Sequence, residues 1–410
     1  MIAPLAVSLR LIDQRPFVFF WCSRLVSTLG YHMLAVVIGW KIYDLTGSAF
    51  DLGLVGLIQF MPAVVFTLLI GQLADRYDRR HLVRLAQATH ALAALTVLAG
   101  LLSDAITRDW LFVAVFLIGC ARAFELPTAH ALVPATVAGP LIPRAVAAWT
   151  SANQTAVICG PAAGGFLYAV SPVLVCALCF AFFLIAIVLV TLVRVERVAT
   201  SRQPVTLASV LAGFDFVRRR ERLLGVISLD LFVILLGGAT ALLPIYARDI
   251  LDAGPAGLGL LSSAPAIGAL TTSIILSRYP IERHIGITMF AVVALFGIST
   301  MIFALSAWLP LSMAALAVLG ASDSVSVVIR FSLVQMETPD AMRGRVSAIN
   351  YLFVGASNTL GEFESGVLAA LIGAVPSAFI GGLGSLLVAA IWMMIFPSLR
   401  RVDRYQPADK

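Results

Sequence analysis

Charged residues are scarce in this chain of 410 residues: they make up 12% of it, whereas hydrophobic residues make up 60%. Soluble domains carry about 25% charged residues, and a soluble core of this size cannot hide so much apolar surface. The mean hydropathy of +0.98 points the same way. The composition therefore excludes an ordinary soluble protein and predicts one embedded in a bilayer.

Cysteine is also rare, and every cysteine lies inside an apolar segment. The five are Cys22, Cys120, Cys159, Cys176 and Cys179. The last two form a C-x-x-C pattern, which elsewhere can indicate a redox or metal site. The run around them, PVLVCALCFAFFLIAIVLV, contains no histidine or acid, so we interpret both as small hydrophobic residues and expect no disulfide framework.

Motifs of enzymatic chemistry are missing as well. The sequence contains no H-E-x-x-H, no G-x-S-x-G and no ATP-binding loop. A membrane-embedded enzyme would need a nucleophile with a base, or clustered metal ligands. We therefore expect no enzyme, no metal and no cofactor, and no primary pump. The N-terminus lacks a cleavable signal, so the first span is expected to direct insertion.

Twelve apolar runs are long enough to cross a bilayer, which takes about 20 residues per helix. The expected spans are 17–43, 51–74, 82–102, 110–137, 145–169, 173–193, 223–248, 257–277, 285–306, 309–335, 346–371 and 375–397. We predict an all-α membrane protein with a six-helix bundle over 1–193, a cytoplasmic central loop over 194–222, and a second six-helix bundle with a cytoplasmic tail over 223–410. The LASVLAGFDFV portion of the loop is amphipathic and is expected to lie on the membrane surface.

The distribution of Arg and Lys predicts the orientation. With both termini in the cytoplasm, 22 of them lie on the cytoplasmic side and 3 (Lys41, Arg108 and Arg248) lie outside. This is the bias of proteins in a cell membrane, either the plasma or the inner membrane. The basic cluster within 76–84 could suggest a nucleic-acid partner, but here it becomes a cytoplasmic loop, and we expect no nucleic-acid partner.

The two halves also resemble each other. With an offset of 201 residues, ALVPATVAGPLIPRAVA (131–147) aligns with SLVQMETPDAMRGRVSA (332–348). Six plus six spans related by internal repetition are typical of secondary transporters, whose substrate site lies between the halves near the bilayer midplane.

Three short stretches connect the chain to a known family. They are GQLADRYDRR (71–80), GPAAGG (160–165) and TPDAMRGRVSA (338–348). On these stretches the chain resembles the major facilitator superfamily throughout its length, and most closely the branch of the enterobactin (siderophore) exporters. The resemblance implies two pseudo-symmetric bundles, alternating access and a small-molecule substrate, with protons as the expected coupling ion.

The first stretch is similar to the loop between spans 2 and 3 of that family. The matching residues include Gly71, Asp75, Arg76, Arg79 and Arg80. Asp75 at the membrane edge is placed to interact with the positive N-terminus of span 11, where Arg343 and Arg345 supply charged partners. We interpret this group as a latch on the cytoplasmic side; the alternative is a set of solvated charges that only fix topology. Asp78 replaces the usual glycine, and we expect left-handed backbone there.

The second stretch is similar to the span-5 motif of proton-driven exporters, except that Ala156 replaces its first glycine. Its residues are Gly160, Pro161, Gly164 and Gly165. The glycines provide a smooth face for a neighbouring helix while the proline loosens the backbone. Close packing without a role in coupling is the alternative.

Ionisable residues inside spans are costly and are functional candidates by default. They are Arg24 in span 1, Arg122 and Glu125 in span 4, Asp230 in span 7, Asp323 and Arg330 in span 10, and Glu362 and Glu364 in span 11. The family resemblance implies that spans 1, 4, 7 and 10 line a central cavity. These residues therefore predict a polar substrate and proton pathway.

Our hypothesis is that Asp230 and Glu362 take part in proton coupling, while Arg24 and Arg122 hold anionic parts of the substrate or partner carboxylates. Structural ion pairs or interhelical hydrogen bonds are the alternative for each. Arg24 and Asp230 lie at equivalent depths and are expected to pair across the halves, and Arg122 is expected to neutralise Glu125 on the same helix.

Further candidates have weaker support. Glu364 points away from Glu362 by helix geometry, so at most one of them faces the cavity. His32 and His130 are expected to be polar packing residues rather than proton relays.

The sequence thus favours a secondary active, proton-coupled exporter of a small amphipathic organic molecule, such as a siderophore or a drug-like compound. The alternatives are an importer or facilitator of a small solute and a non-transporting membrane receptor or scaffold. We expect a monomer in the lipid bilayer.

Overall fold

The computed structural model describes residues 11–76, 78–194 and 207–405. Within its helices, the side chains of 67–76, 207–212, 340, 341, 343, 344, 348, 351 and 352 lie outside this description. Every regular element in the described ranges is helical. The all-α prediction is therefore confirmed.

Twelve long helical segments account for the predicted spans in the described part of the chain, together with a short helix in the central loop. The α-helices are α1 (Arg15–Thr46), α2 (Ala49–Arg76), α3 (Arg79–Leu102), α4 (Arg108–Leu132), α5 (Ile142–Val170), α6 (Pro172–Thr191), α7 (Leu207–Arg218), α8 (Glu221–Leu236), α9 (Leu243–Ile245), α10 (Gly254–Arg278), α11 (Ile285–Leu305), α12 (Leu309–Glu337), α13 (Asp340–Ile372), α14 (Ala374–Ile395) and α15 (Pro397–Arg400).

Ten of the segments in the described residues are long and apolar enough to cross a membrane. The other two are α5 and α13, which are 29 and 33 residues long and carry the polar stretches TSANQT and SNTLGEFES. Both stretches lower the hydropathy of helices that are otherwise as long as their neighbours. The twelve-helix architecture is consistent with this pattern.

The seventh predicted span is interrupted rather than continuous. Helix α8 ends at Leu236 with Gly237 as its C-cap, a 3₁₀ turn covers Ala239–Leu242, and after α9 a π-helical turn covers Tyr246–Ile250. Glycine weakens a helix, and Pro244 in α9 cannot donate a backbone hydrogen bond. The sequence between 237 and 244 therefore permits the break.

The chain forms two compact units. The first contains α1 up to Ala35, Met61–Gly160 and the segment that begins at Ser171. In it α3 packs against α4 and α6. Its hydrophobic core includes Phe20 of α1, Val83 of α3 and Trp149 of α5.

The second unit contains Val36–Phe60, Pro161–Val170 and the chain from Val205 onward. Here α12 packs against α10 and α11, and α14 packs against α11 and α8. Small residues let these helices approach closely: a Cβ added to Gly297 would lie 2.7 Å from the carbonyl oxygen of Gly382. Close backbone contact is the usual means of holding helices together in lipid.

The central loop is described only from residue 207. Its amphipathic stretch forms α7, which packs against α13, and its place on the membrane surface stays a prediction. The predicted bundle boundaries at 193 and 222 stay a prediction.

Candidate functional site

Two buried charged clusters occupy the spans in which charge is least expected, one in each unit. We call the group Arg24, His90, Arg122 and Glu125 the first cluster. We call the group Asp230, Asp323 and Arg330 the second cluster. Each is described from its own helices.

The salt bridge between α1 and α4 is the centre of the first cluster. Nη1 of Arg24 lies 3.3 Å from Oε1 of Glu125, and both side chains are 7% exposed. Nη2 of Arg24 donates to Oδ1 of Asn153 at 3.1 Å, and its guanidinium lies over the ring of Trp149 at 5.3 Å. Ser27, one turn along α1, donates to the same Glu125 oxygen at 3.4 Å. The cation and its acid thus meet across two helices of one unit.

The second arginine of the first cluster, Arg122, has an aromatic partner. The guanidinium of Arg122 lies 4.3 Å from the centre of the Tyr31 ring. We expected Arg122 to pair with Glu125 on the same helix, and this prediction is wrong. The carboxylate of Glu125 forms its salt bridge with Arg24 of α1 instead. A cation over an aromatic face is stabilised by the ring quadrupole.

Helix α3 supplies His90 of the first cluster and its buried neighbour Gln87, and neither was among the predicted site residues. His90 is 1% exposed, and its Nδ1 lies 3.7 Å from Oε2 of Glu125. Gln87 is equally buried and donates to Oγ of Ser23 at 2.9 Å. A glutamine and a histidine one turn apart in an apolar span are the sequence signal that could have indicated this site.

The second cluster joins α8 and α12. Arg330 forms a salt bridge with Asp230, and its Nη2 lies 3.5 Å from Oδ1 of Asp323. The side chains of Arg330 and Asp230 are 10% and 12% exposed, and that of Asp323 is 39% exposed. Nε of Arg330 also donates to the carbonyl of Ser326 at 3.2 Å. Two carboxylates therefore share one guanidinium.

The expected pair between Arg24 and Asp230 is not what the structure shows. Arg24 is bonded to Glu125, and Asp230 is bonded to Arg330. The reason is that the fourth span of each half carries a residue of opposite charge that contacts the charged residue on the first span of the same half. Sequence depth alone could not distinguish these partners.

The two salt bridges occupy equivalent spans with opposite polarity. Asp230 follows Arg24 by 206 residues, and Arg330 follows Glu125 by 205 residues, close to the repeat offset. With histidine neutral, the first cluster has two cations and one acid, whereas the second has one cation and two acids. One site is therefore formally cationic and the other formally anionic.

Glu362 and Glu364 are half-buried on α13. A Cβ added to Gly56 of α2 would lie only 2.7 Å from Oε2 of Glu362, so the glycine makes room for this carboxylate. Glu364 accepts a hydrogen bond from Oγ of Ser365 at 3.4 Å. The role of Glu362 in proton coupling stays a prediction.

The histidines regarded as packing residues have aromatic neighbours. The ring of His32 meets Tyr31 edge-on at 4.9 Å, and that of His130 lies 4.3 Å from the ring of Trp149. In the described parts of the chain, no group of three His, Cys, Asp or Glu side chains could hold a metal ion.

Most of the predicted latch lies outside the described side chains, namely Gly71, Asp75, Arg76 and Arg343. Of the remainder, Arg79 donates to the carbonyl of Ala131 at 3.0 Å, and Arg80 donates to that of Val193 at 3.0 Å. Arg345 is exposed, and its backbone carbonyl would lie 3.2 Å from a Cβ on Gly213 of α7. The latch itself stays a prediction.

The expected left-handed backbone at Asp78 is wrong. Its φ of −62° and ψ of 123° are extended, and its carboxylate accepts a hydrogen bond from the backbone N–H of Arg80 at 2.9 Å. Asp78 is the N-cap of α3, a position for which aspartate is well suited. Hydrogen bonds from the side chain and backbone of Arg80 lower the pKa of Asp78 to about 2.

Replacing Asp78 by alanine should lower the free energy of unfolding by about 1 kcal/mol at neutral pH, because an N-cap is lost. A depressed pKa adds stability that is complete above about pH 4 and is lost as the pH falls towards about 2. Thermal unfolding in detergent, with amide exchange at the first turn of α3, measures the loss. Asp78→Asn keeps the capping oxygen and should lose less; an equal loss would contradict the capping role.

The span-5 motif makes close helix contacts, as predicted. A Cβ on Gly160 would lie 2.6 Å from that of His32, and a Cβ on Gly165 would lie 2.9 Å from Cα of Gly259 on α10. Helix α5 continues through Pro161 without interruption. Both glycines therefore lie at close helix contacts, and the coupling role of the motif stays a prediction.

Gly165→Ala should destabilise the protein by about 1–3 kcal/mol, because the added methyl overlaps the carbonyl oxygen of Pro255. Gly139→Ala is the matched control, since nothing lies within 4 Å of a Cβ there. Thermal unfolding of both variants in the same detergent provides the measurement. Equal melting temperatures would show that α5 and α10 have room to separate.

A third polar group joins the end of α1 to the π-helical turn in the second unit. Tyr43 donates to Asp249, and Nη1 of Arg248 lies 3.5 Å from Oδ1 of Asp44. Arg248 also donates to the backbone carbonyl of Tyr43 at 3.2 Å. We call these four residues the Tyr43 group; they link the first span to the seventh.

Comparison with known proteins identifies the family. The profile of the family described as transmembrane secretion effector matches residues 6–409. The chain belongs to this family of the major facilitator superfamily. It is therefore a multi-pass transmembrane transporter of the major facilitator type.

Named relatives of this transporter agree with the assignment. The enterobactin exporter EntS of Escherichia coli (strain SMS-3-5 / SECEC) is 25% identical over 420 residues, covering 98% of this chain and 97% of the relative. Among solved structures, the nucleoside transporter NupG has a TM-score of 0.72 at 15% identity, covering 93% and 99% of the two chains. A bacterial homologue of the iron transporter ferroportin in an inward-facing state has a TM-score of 0.71 at 16% identity, covering 96% and 100%. These structures share the fold of this transporter.

Proposed function

We propose that this transporter is a proton-coupled exporter that moves a small amphipathic organic molecule with an anionic group by alternating access. It acts as a monomer in the cell membrane, with both termini in the cytoplasm. The observation that supports the proposal best is the pair of buried clusters with opposite net charge in its two units. A site with an excess cation suits an anionic substrate, and a site with an excess acid suits a proton.

The first cluster has the chemistry to bind an anionic oxygen. Nε of Arg24 and Nε1 of Trp149 are buried and have no hydrogen-bond partner among the described residues. Leaving a buried donor unsatisfied costs about 1–3 kcal/mol, so such donors are often reserved for a ligand. The guanidinium and the indole are neighbours, and an anionic oxygen near both would satisfy them together. The exporter EntS, whose name specifies enterobactin, supports a siderophore as the first substrate to test.

The second cluster has the chemistry to exchange a proton. Asp230 and Asp323 share Arg330, so one carboxylate can take up a proton while the other keeps the guanidinium paired. Two acids competing for one cation cannot both be ionised as favourably as a single pair. Proton uptake at this cluster would therefore leave no unpaired charge.

The Tyr43 group is the proposed outer closure. In the predicted topology it lies on the outer side, where it joins span 1 of one half to span 7 of the other. Opening towards the outside requires the contacts of Arg248 and Tyr43 to break and re-form in each cycle. Exposed ion pairs contribute only about 0–1 kcal/mol each, which suits a contact that must open repeatedly.

Inside-out membrane vesicles test the function directly. With the vesicle interior acidic, the purified or overexpressed transporter should accumulate enterobactin, and dissipating the pH gradient should abolish accumulation. A panel of uncharged and cationic amphipathic dyes tests the preference for an anionic group. Movement only in the opposite direction would indicate an importer, and movement of no solute would indicate a receptor or scaffold; either result contradicts the proposal.

Asp323→Asn tests coupling separately from transport. The variant keeps the Asp230–Arg330 pair and removes the surplus acid, so it should move substrate down its gradient but fail to accumulate it. Asp215→Asn is the matched control, because Asp215 is an exposed residue of α7 that pairs with Arg219 just beyond the helix. Full accumulation by Asp323→Asn would exclude Asp323 from proton coupling.

A further inference from the structure

The carboxylate of Glu125 lies between two basic groups, and its contact with each is long. It is 3.3 Å from Arg24 and 3.7 Å from Nδ1 of His90. Charge-assisted hydrogen bonds have lengths of about 2.7–2.9 Å, so both contacts are longer than their optimum. A small movement of this carboxylate would strengthen one contact at the expense of the other.

The hydrogen bonds of His90 indicate which form it has. Nδ1 lies 3.1 Å from the carbonyl oxygen of Ala86, a group that can only accept, so Nδ1 carries the hydrogen. Nε2 then has a free lone pair, and this atom is buried with no hydrogen-bond partner among the described residues. A buried imidazole in this state can accept a proton at Nε2.

The surroundings of His90 include both favourable and opposing groups. Its ring stacks on Phe183 of α6 at 5.1 Å and 14°, an arrangement in which an imidazolium gains from the ring quadrupole. Tyr31 of α1 meets it edge-on at 6.2 Å. Burial of the ring opposes the charged imidazolium, as do the cations Arg122 of α4 and Arg24 of α1, whereas the carboxylate of Glu125 on α4 favours it. Helix α6 supplies no charged side chain, only the thiols of its two cysteines.

We propose that His90 is a proton-accepting positioning residue that competes with Arg24 for Glu125. When an anionic group shares the positive charge of Arg24, the attraction of Arg24 for Glu125 weakens, and Glu125 then stabilises a proton on His90. Conversely, a proton on His90 draws Glu125 away and frees Arg24. By linkage, the anionic group and this proton bind the first cluster together, each raising the affinity for the other.

This inference deepens the function proposed above and rests on it for its role in transport. The proton on His90 travels with the anionic group and keeps the net charge of the first cluster constant as that group enters. The proton that drives export must then belong to another site, such as the second cluster. In the first cluster a proton would therefore bind together with the substrate, whereas in the second cluster a proton would bind in exchange for it.

Imidazole nitrogen NMR of the ¹⁵N-histidine-labelled protein in lipid nanodiscs tests the competition without a substrate. The signal of His90 is assigned by its loss in His90→Gln. Arg24→Gln mimics the removal of Arg24 from Glu125 and should raise the pH at which His90 titrates by about one unit or more. Glu125→Gln should lower it. His284, exposed beside Asp403 in the second unit, is the internal control and should not shift.

An unchanged titration of His90 in Arg24→Gln would overturn the inference. If that variant does not fold, Arg24→Lys tests the same step, because a single ammonium cannot reproduce the separate contacts of the guanidinium with Glu125 and Asn153. The shift should then have the same direction and be smaller. Since no transport is measured, failure of export in vesicles and failure of this competition are separate results.

Discussion

Replacing Arg330 by methionine should lower the free energy of unfolding by about 3–5 kcal/mol, because the nearly buried Asp230 and the half-buried Asp323 lose their shared cation. Asp230 and Arg330 are nearly buried, so water cannot replace the lost contact. Methionine keeps most of the side-chain volume and isolates the effect of charge. Unfolding of the purified protein in mixed micelles, followed by denaturant or heat, provides the measurement.

The triple variant Asp230→Asn, Asp323→Asn and Arg330→Met separates an unpaired charge from lost packing. It removes all three charges and should recover most of the stability lost in the single variant. Arg278→Met, an exposed arginine at the end of α10, is the matched control and should change stability by less than about 0.5 kcal/mol. A triple variant as unstable as Arg330→Met would show that packing of the arginine, rather than charge, stabilises the second cluster.

The helices could be predicted from the sequence because the bilayer fixes their length and polarity. The ninth span was predicted at 285–306, and α11 covers Ile285–Leu305. The interruption of the seventh span was not predicted, because Gly237 and Pro244 permit a break without requiring one. Whether the helix breaks there depends on how the neighbouring helices pack against it, and a hydropathy pattern carries no information on packing.

The charged residues of the candidate site could be predicted, but their partners could not. The free-energy cost of a charged side chain inside a membrane span is enough to single out Arg24, Glu125, Asp230 and Arg330. Which of them meet depends on how each helix is rotated and crosses its neighbour, and the sequence gives only depth. His90 was missed for a related reason: a neutral imidazole costs little in an apolar span, so only its contact with Glu125 distinguishes it.

Exchanging the charges of the first salt bridge should preserve folding but impair export. In the double variant Arg24→Glu and Glu125→Arg, the pair between α1 and α4 is kept with reversed polarity. Each single variant should be strongly destabilised because it places like charges together, and the double variant should recover stability, with a coupling of about 0.5–3 kcal/mol in the double-mutant cycle. Thermal unfolding of all four proteins measures this coupling.

Export should still fall by roughly 10–100-fold in the double variant, which corresponds to one charged hydrogen bond to the substrate. The reason is position: only a cation on α1 lies over Trp149 and beside Asn153, where an anionic oxygen would meet unsatisfied donors. After the exchange, the acid of the first pair stands on the first span of its half, as Asp230 does in the second. Wild-type export by the exchanged protein, measured as enterobactin accumulation in inside-out vesicles, would show that the pair is structural and that the substrate binds elsewhere.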